Sequence, residues 1–388
     1  MAIPISYNLR NLMERRTTTI MTALGVALTV AVLLSVMAMV QGLRTSLEAS
    51  GHPLNLIVMR KGATAELNSI VTPAGFQELK SKPGIARAAD GTPMASLEVV
   101  TIIVLENEEN PSGININLRG LTPLGFSLRE GIRLMEGRMF QAGRREVVVG
   151  KSVAARYRDA RVGGKMRFGR GEWEVVGVMD AGRGAANSEV FADLFQLASD
   201  QSRPEALSSA LLRATDEVTA RAVINDLQSD RRFNVDVVPE KQYYAAQTNS
   251  AAPIKYLGTV VAIIMAIGSS FAAMNTMYAA VARRSAEIGT LRVLGFSRAG
   301  ILFSFFLESL LLSLLGGAIG CLLVLPLNNL STGIGSFVTF SEISFQFHVT
   351  PAIMAAGVVF ALVMGAFGGL FPAGSAARKQ ILAALRQV

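Results

Sequence analysis

Thr17–Val40 reads TTTIMTALGVALTVAVLLSVMAMV and carries no charge, and Tyr256–Ala282 reads YLGTVVAIIMAIGSSFAAMNTMYAAVA and carries none either. As helices rising about 1.5 Å per residue, both runs are long enough to cross a hydrocarbon layer of about 30 Å. A third apolar run covers about Ala299–Leu325 and is broken only by Glu308; a fourth covers about Pro351–Phe371 and is rich in small residues. Four spans are therefore expected. The first is preceded by Arg10, Arg15 and Arg16 in the manner of a signal peptide. Its apolar run exceeds the ~7–15 residues of a signal core, and no clean small-residue cleavage site closes it, so a retained anchor is expected.

Composition agrees with this division. Of 388 residues, 51% are hydrophobic and 17% charged, with a mean hydropathy of +0.40, too apolar for an ordinary soluble chain of this size. The 37 basic and 29 acidic residues leave a net charge of +8. Segments 1–16, 283–298 and 378–388 hold ten of the basic residues and only Glu14 and Glu287 of the acidic ones, whereas 41–255 is nearly neutral. By the positive-inside rule both termini and the 283–298 turn face the cytoplasm, with 41–255 and the 326–350 connection outside. Because topology accounts for the basic groups, a nucleic-acid partner has no support. A single cysteine, Cys321, excludes an internal disulfide, and two distant histidines, His52 and His348, leave little for a metal site.

The expected architecture is an α-helical membrane domain with four transmembrane helices plus an α+β extracytoplasmic domain inserted between the first and second. Its parts are 1–40 (cytoplasmic segment and first span), 41–255 (the extracytoplasmic domain) and 256–388 (the remaining spans and cytoplasmic tail). Within the inserted region, EVVVGK at 146–151, KMRF at 165–168 and EWEVVGVM at 172–179 predict strands between Gly-rich turns. TPAGFQELK at 72–80 and TDEVTARAVINDL at 215–227 predict helices, the latter opened by an Asp-Glu pair that suits the positive end of a helix dipole. Glu106–Asn117 and Gly182–Asn187 are expected as exposed connections.

RRSAEIGTLRVLG at 283–295 lies between the second and third spans. Ile288, Leu291 and Leu294 recur at helical spacing among Arg283, Arg284, Glu287 and Arg292, and Gly295 offers a C-terminal stop, so an amphipathic helix at the cytoplasmic surface is expected. Two readings stand beside each other: a helix gripped by a partner, or arginines that enforce topology and meet lipid headgroups. Glu308 is the only carboxylate inside an expected span and must be protonated, paired or turned to a polar cavity. Packing or gating, a structural hydrogen bond, and substrate or proton handling are its candidate roles. Gly316, Gly317 and Gly320 in the third span, and Gly365, Ala366, Gly368 and Gly369 in the fourth, permit close helix approach. Ser269, Ser270, Ala272, Ala273 and Asn275 give the second span a small, partly polar face suited to a dimer seam or to simple packing. The scattered methionines have no metal-binding spacing.

Together, Asn8-Leu9-Arg10, a large inserted domain, RRSAEIGTLRVLGF at 283–296, FFLESLLLSLLGGAIG at 305–320, Phe371-Pro372-Ala373 and Ala384-Leu385-Arg386 resemble the membrane subunits of FtsX-like, or MacB-like, ABC systems, which include lipoprotein-releasing and macrolide-exporting members. GRMFQAGRREVVVGKSVAARY at 137–157 and GKMRFGRGEWEVVGV at 164–178 resemble that family's periplasmic core domain. The resemblance implies that about Glu287–Leu294 is the coupling helix that meets an ATPase. The tail departs from the family, with Gln380-Ile381-Leu382-Ala383 where a proline usually precedes the closing Ala-Leu-Arg.

No G-x-x-x-x-G-K-[ST] is present; Gly163-Gly164-Lys165-Met166 lacks both spacing and hydroxyl. The chain itself is expected to bind no cofactor and to be no enzyme, since no nucleophile is paired with a base. The resemblance implies that ATP and Mg belong to a separate ABC ATPase. The resemblance further implies a homodimer or pairing with a related permease, contact with membrane lipids, and a periplasmic adaptor or substrate lipoprotein as further partners. Two functions remain open: export or extraction of a substrate driven by transmitted ATPase motion, and regulation of an extracytoplasmic hydrolase. The roughly 215-residue inserted domain favours the first, because division-associated members have a smaller one.

Overall fold

The computed structural model describes residues 7, 10, 13–14, 16–106, 111–248, 252–336 and 339–378. Asn8, Leu9, Arg15, Lys379 and the tail motif Ala384–Arg386 lie outside the described residues. Contacts divide the chain into two compact units. The first comprises 1–41, 252–330 and 347–388; the second comprises 42–251 and 331–346.

The membrane unit is built on four long apolar helices: α1 (Arg16–Glu48), α8 (Ala252–Arg283), α10 (Arg298–Val324) and α11 (Pro351–Arg378). Each contains one of the expected spans and most extend beyond it, because Thr, Ser, Arg and Glu at their ends continue the helix once the apolar run has nucleated it. Ser297 caps α10 by accepting the Gly300 N–H at 3.1 Å. Val26, Val30 and Leu34 of α1 pack with Cys321 and Val324 of α10 and with Ile353, Ala361 and Met364 of α11.

Glycine sets the spacing of these helices. A Cβ on Gly316 would lie 2.7 Å from the Ala23 carbonyl oxygen and 2.8 Å from Val26 Cβ; on Gly320 it would lie 2.8 Å from the Ala27 oxygen and 2.9 Å from Val30 Cβ. The two glycines, one helical turn apart, let α10 lie directly against the backbone of α1. Gly317 faces the other way, where a Cβ would meet that of Ala361 at 2.7 Å. Gly320→Val is expected to push these helices apart and cost about 1–3 kcal/mol or more, as overpacking does, read as a lowered unfolding midpoint in detergent. Gly335→Ala, with open space around its Cβ position, is the control that leaves the midpoint within experimental scatter.

The inserted unit is α+β. In chain order it holds β1 (Asn55–Arg60), α2 (Pro73–Lys80), β2 (Ala95–Leu105), β3 (Ile114–Leu121), α3 (Pro123–Ser127), β4 (Arg133–Gly137), β5 (Glu146–Gly150), α4 (Lys151–Arg156), β6 (Lys165–Phe168) and β7 (Gly171–Asp180). It continues with β8 (Glu189–Asp193), α5 (Leu194–Asp200), β9 (Ser209–Arg213), α6 (Glu217–Ser229), β10 (Val235–Pro239) and α7 (Glu240–Gln247). The strands form one mixed sheet in the order β10-β1-β9-β2-β3-β8-β5-β7-β4, with β6 paired to β7. Pairings β3–β8 and β5–β7 are parallel and the others antiparallel. Its core joins Leu56, Val99, Leu118, Val147, Val175 and Leu212 to the fully buried Trp173, which stacks on Phe168 with centroids 5.0 Å apart.

The KMRF strand falls where expected, and the two expected helices form with Thr72 and Asp216 as N-caps, each accepting a backbone N–H three residues on. Both connections expected to be exposed differ in part: in Gly182–Asn187 only Gly182 and Arg183 are exposed, while Gly184, Ala185 and Asn187 are buried where a short 3-10 turn over Ala185–Ser188 begins. Ile114–Asn117, expected as exposed polar chain, opens β3. Ile-Asn-Ile-Asn alternates with period two, so a polar composition hides a half-buried strand in which Ile116 is buried against the sheet core. The 326–350 connection likewise contains a hairpin, β11 (Ser331–Gly335) and β12 (Glu342–Gln346), which belongs to the inserted unit.

Candidate functional site at the α9 corner

α8 ends at Arg283, Arg284 turns the corner, and the short amphipathic helix α9 runs Ser285–Val293. Its C-terminus follows from the glycine: Gly295 has φ +92° and donates its N–H to the Arg292 oxygen at 3.2 Å, while the Phe296 N–H reaches the Leu291 oxygen at 3.1 Å. This paired bonding is the Schellman stop that a residue other than glycine enters only under strain.

Arg284 is the centre of the corner. Its guanidinium donates from Nη1 to Glu308 Oε2 at 3.0 Å, from Nε to Glu287 Oε2 at 2.9 Å, and from Nη2 to the Tyr7 hydroxyl at 2.9 Å. Tyr7 in turn donates to Glu287 at 3.3 Å, and the guanidinium lies over the Phe305 ring at 4.9 Å and the Tyr7 ring at 5.3 Å. The Arg284 and Glu308 side chains are only 4% and 7% exposed, so this is a buried ion pair, whereas Glu287 is 58% exposed. A buried pair of this kind is worth little as net stability, yet removing one member costs several kcal/mol. The pair fixes where α9 sits on α10.

The other sequence-derived residues divide between the anchored and the open side. Ile288 is buried against Met277, Val281, Ile301 and Phe305, and Leu291 is half-buried. Arg292 is half-buried, donates from Nη1 to the Phe296 oxygen at 3.1 Å, and has an Nε without a hydrogen-bond partner among the described residues. Arg283 and Gly295 are exposed, and Leu294, expected on the apolar face with Ile288, is 63% exposed beside Val293 at 64%. Leu294 is the C-cap, so the turn carries it off the helical stripe. Asn275 is exposed on α8 and takes no place at the corner. Further along α8, Ser269 meets Thr29 of α1 at 2.7 Å.

The corner selects among the open readings at two points. Glu308, which had to be protonated, paired or turned to a polar cavity, is paired with Arg284. Arg284, for which a lipid-headgroup contact was one of two readings, is buried inside the protein. Tyr7 was not singled out at all, since a lone tyrosine near a terminus carries no signal of a partner 277 positions away.

A second charged cluster lies inside the inserted unit. Arg119 bonds Glu66, Glu98 and Glu189 at 2.8–3.2 Å, and Arg129 bonds Glu98 at 2.6 and 2.7 Å. Burial alone would raise the Glu66 pKa, but the Arg119 charge and its hydrogen bonds, with that of Ser209, hold it below the ordinary carboxylate value. Glu240 is the opposite case: burial raises it despite Arg129 and the bonds from His52 and Asn55. No group of three or more His, Cys, Asp or Glu residues able to hold a metal is found among the described residues. Glu66, Glu98 and Glu189 are matched to guanidinium groups, whereas the buried Glu240 is held by the His52 backbone N–H and Asn55 Nδ2.

Residues 19–230 match the MacB-like periplasmic core domain, and residues 259–381 match the FtsX-like permease C-terminal domain. The chain belongs to the MacB/FtsX-like permease family. It is similar to the uncharacterized ABC transporter permease YknZ of Bacillus subtilis, 24% identical over 98% of both chains. It is also similar to the macrolide export ATP-binding/permease protein MacB of Bradyrhizobium diazoefficiens, 25% identical over 68% of this chain. The alignments span only 42% of that MacB and 55% of the MacB of Hahella chejuensis. The extracellular domain of YknZ has been solved; it is 16% identical, with 47% of this chain and 99% of that one covered at a TM-score of 0.36. The family match spans both the inserted domain and the membrane helices that carry the α9 corner.

Proposed function

We propose that this permease is the membrane subunit of an ABC transport system, transmitting the motion of a separate ATPase to the inserted domain for export or extraction of a substrate. The observation that carries this reading is the corner itself. The corner presents Arg283 at the end of α8, Glu287 and Val293 on α9 and the C-cap Leu294 at its surface, while the N-cap Arg284 fastens it to α10 through Glu308. A push on the open face therefore reaches the third span through a short, buried connection. The concentration of basic charge at 1–16, 283–298 and 378–388 supports a bacterial inner-membrane orientation with α9 and both termini in the cytoplasm and the inserted domain outside. In that orientation the ATP and Mg reside in the partner, two copies of the permease or a pair of related permeases face each other, and an adaptor or lipoprotein meets the outer domain.

The test is recovery of partners from the native membrane in mild detergent, identified by mass spectrometry. The intact chain is expected to bring down an ABC ATPase in stoichiometric amount. Val293→Glu with Leu294→Glu changes only exposed side chains and is expected to reduce that recovery by about tenfold or more, as loss of an interface anchor does. Recovery of no ATPase with the intact chain, under conditions that preserve a known complex, overturns the reading. An adaptor or lipoprotein in the same eluate assigns the transport branch, and a cell-wall hydrolase assigns the regulatory one.

A further inference from the structure

The connection between the third and fourth spans is folded into the inserted domain. β11 and β12 pair antiparallel from Ser331↔Gln346 to Gly335↔Glu342, and Ser341, Ile343, Ser344 and Phe345 are buried. Three sets of contacts hold this hairpin. Glu342 forms an ion pair with Arg156, the last residue of α4, in which the Glu342 side chain is 8% exposed and Arg156 25%. The Ser344 N–H donates to Ser188 Oγ at 2.7 Å, and that hydroxyl donates back to the Ser344 oxygen at 3.3 Å, so one side chain satisfies both backbone groups of a β12 residue. Asn115 Nδ2 donates to the Phe340 oxygen at 2.9 Å.

Glycines make the fit possible. Gly333 leaves room for the Glu342 side chain to cross its own hairpin, and Gly42, in the part of α1 that belongs to this unit, lies against the Gln346 carbonyl, where a Cβ would also come within 3.1 Å of Phe345. Glu342, Thr339 and Ile343 line a small cavity of about 20 Å³ together with Arg119, Glu189 and the Tyr243 and Tyr244 rings of α7. The hairpin thus meets the end of the α1 helix and the α7 segment that precedes the second span. In the chain the hairpin is joined directly to the third span on one side and to the fourth on the other.

We propose that the 331–346 hairpin is a second point of force entry, clasped by Arg156–Glu342 and Ser188–Ser344, through which the third and fourth spans drive the inserted domain independently of the first two. Arg156 and Glu342 act as positioning residues. The inference rests on the force-transmission reading above.

Hydrogen–deuterium exchange of the full chain with its co-purified ATPase in lipid nanodiscs tests it. In the intact protein, amides 341–346 exchange as slowly as the sheet core, with or without nucleotide trapped by vanadate, and trapping changes exchange at β1 and α7. Arg156→Glu places two carboxylates together and is expected to raise exchange at 341–346 by about tenfold or more, with the ATPase still bound and the nucleotide response at β1 and α7 reduced. Glu342→Gln gives a milder release, and Arg156→Glu with Glu342→Arg restores both slow exchange and the response. Unchanged exchange at 341–346 in Arg156→Glu overturns the clasp. A released hairpin with a full nucleotide response overturns force entry. Failure of the intact chain to retain an ATPase is a separate result that sinks the underlying reading, and it is seen before any exchange is measured. The nucleotide-free exchange of 341–346 then still reports whether the clasp exists.

Discussion

Glu308→Ala is expected to destabilise the membrane unit by about 3–5 kcal/mol, the cost of leaving one member of a buried ion pair without the other. Arg284 would keep Glu287 and the Tyr7 hydroxyl, but Glu287 is largely in solvent and cannot replace a carboxylate buried beside the guanidinium. Thermal unfolding in detergent measures the loss. Arg284→Met with Glu308→Leu removes both charges from a site already lined by Phe305, and such replacements are often neutral or stabilising. That double variant should therefore recover most of the midpoint while failing to couple α9 to α10. If both single variants unfold at the intact protein's midpoint, the pair does not hold the corner. If the double variant also keeps full transport, the pair is structural alone.

Arg119→Ala has an equally large expected effect on the inserted domain, because it strands Glu66, Glu98 and Glu189 together in a buried site. A loss of at least about 3–5 kcal/mol is expected, with Arg129 still compensating Glu98 in part. The pH dependence gives a second readout, because the Glu66 contribution has opposite signs in the two proteins. In the intact chain the Glu66 pKa is held below its unfolded value, so its contribution is present above the ordinary carboxylate pKa and is lost as pH falls through the folded value. Without Arg119, burial dominates and raises that pKa, so the Glu66 contribution favours the folded variant more as pH falls and less as pH rises. Because Glu146, Asp200, Asp216 and Asp230 are also held below their ordinary values and weaken both proteins as pH falls, the readout is the difference: the gap in denaturant midpoint between the intact chain and the variant should narrow as pH falls below neutrality. A constant gap would show that Arg119 does not set the Glu66 charge.

These two clusters also mark where the sequence stops being legible. The spans are readable because an unbroken apolar run has few other folded outcomes, and the β6 strand because KMRF is bounded by Gly164 and Gly169. Residues 283–295 are readable as an amphipathic helix with a glycine stop, since those signals are local. The pairing of Arg284 with Glu308 is not, because the two are 24 positions apart and meet only once α9 folds back along α10. Arg119 and its carboxylates are dispersed over 66–189 and read singly as solvent-facing charges. A usable signal was Glu98, a lone charge in ASLEVVTIIVL, where an apolar strand on both sides demands a partner. The hairpin at 331–346 escaped for a compositional reason: its Ser, Thr and Gly residues resemble a loop, and its burial depends on Ser188, Arg156 and Asn115 far earlier in the chain.

The close approach of α10 to α1 belongs to the legible part in kind and to the illegible part in detail. Gly316 and Gly320 announce a tight helix contact, but their spacing does not say which helix they meet. The carbonyls of Ala23 and Ala27 supply that answer.

Force transmission is most directly tested by a distance that should respond to nucleotide. Spin labels at the exposed Val218 of the inserted domain and Phe271 of the second span, introduced after Cys321→Ala, report it by double electron–electron resonance on the reconstituted complex. Vanadate-trapped nucleotide is predicted to shift the distance distribution in the intact permease and to leave it unchanged in Arg284→Met with Glu308→Leu. A distribution that does not move in the intact complex while its ATPase turns over would contradict the account.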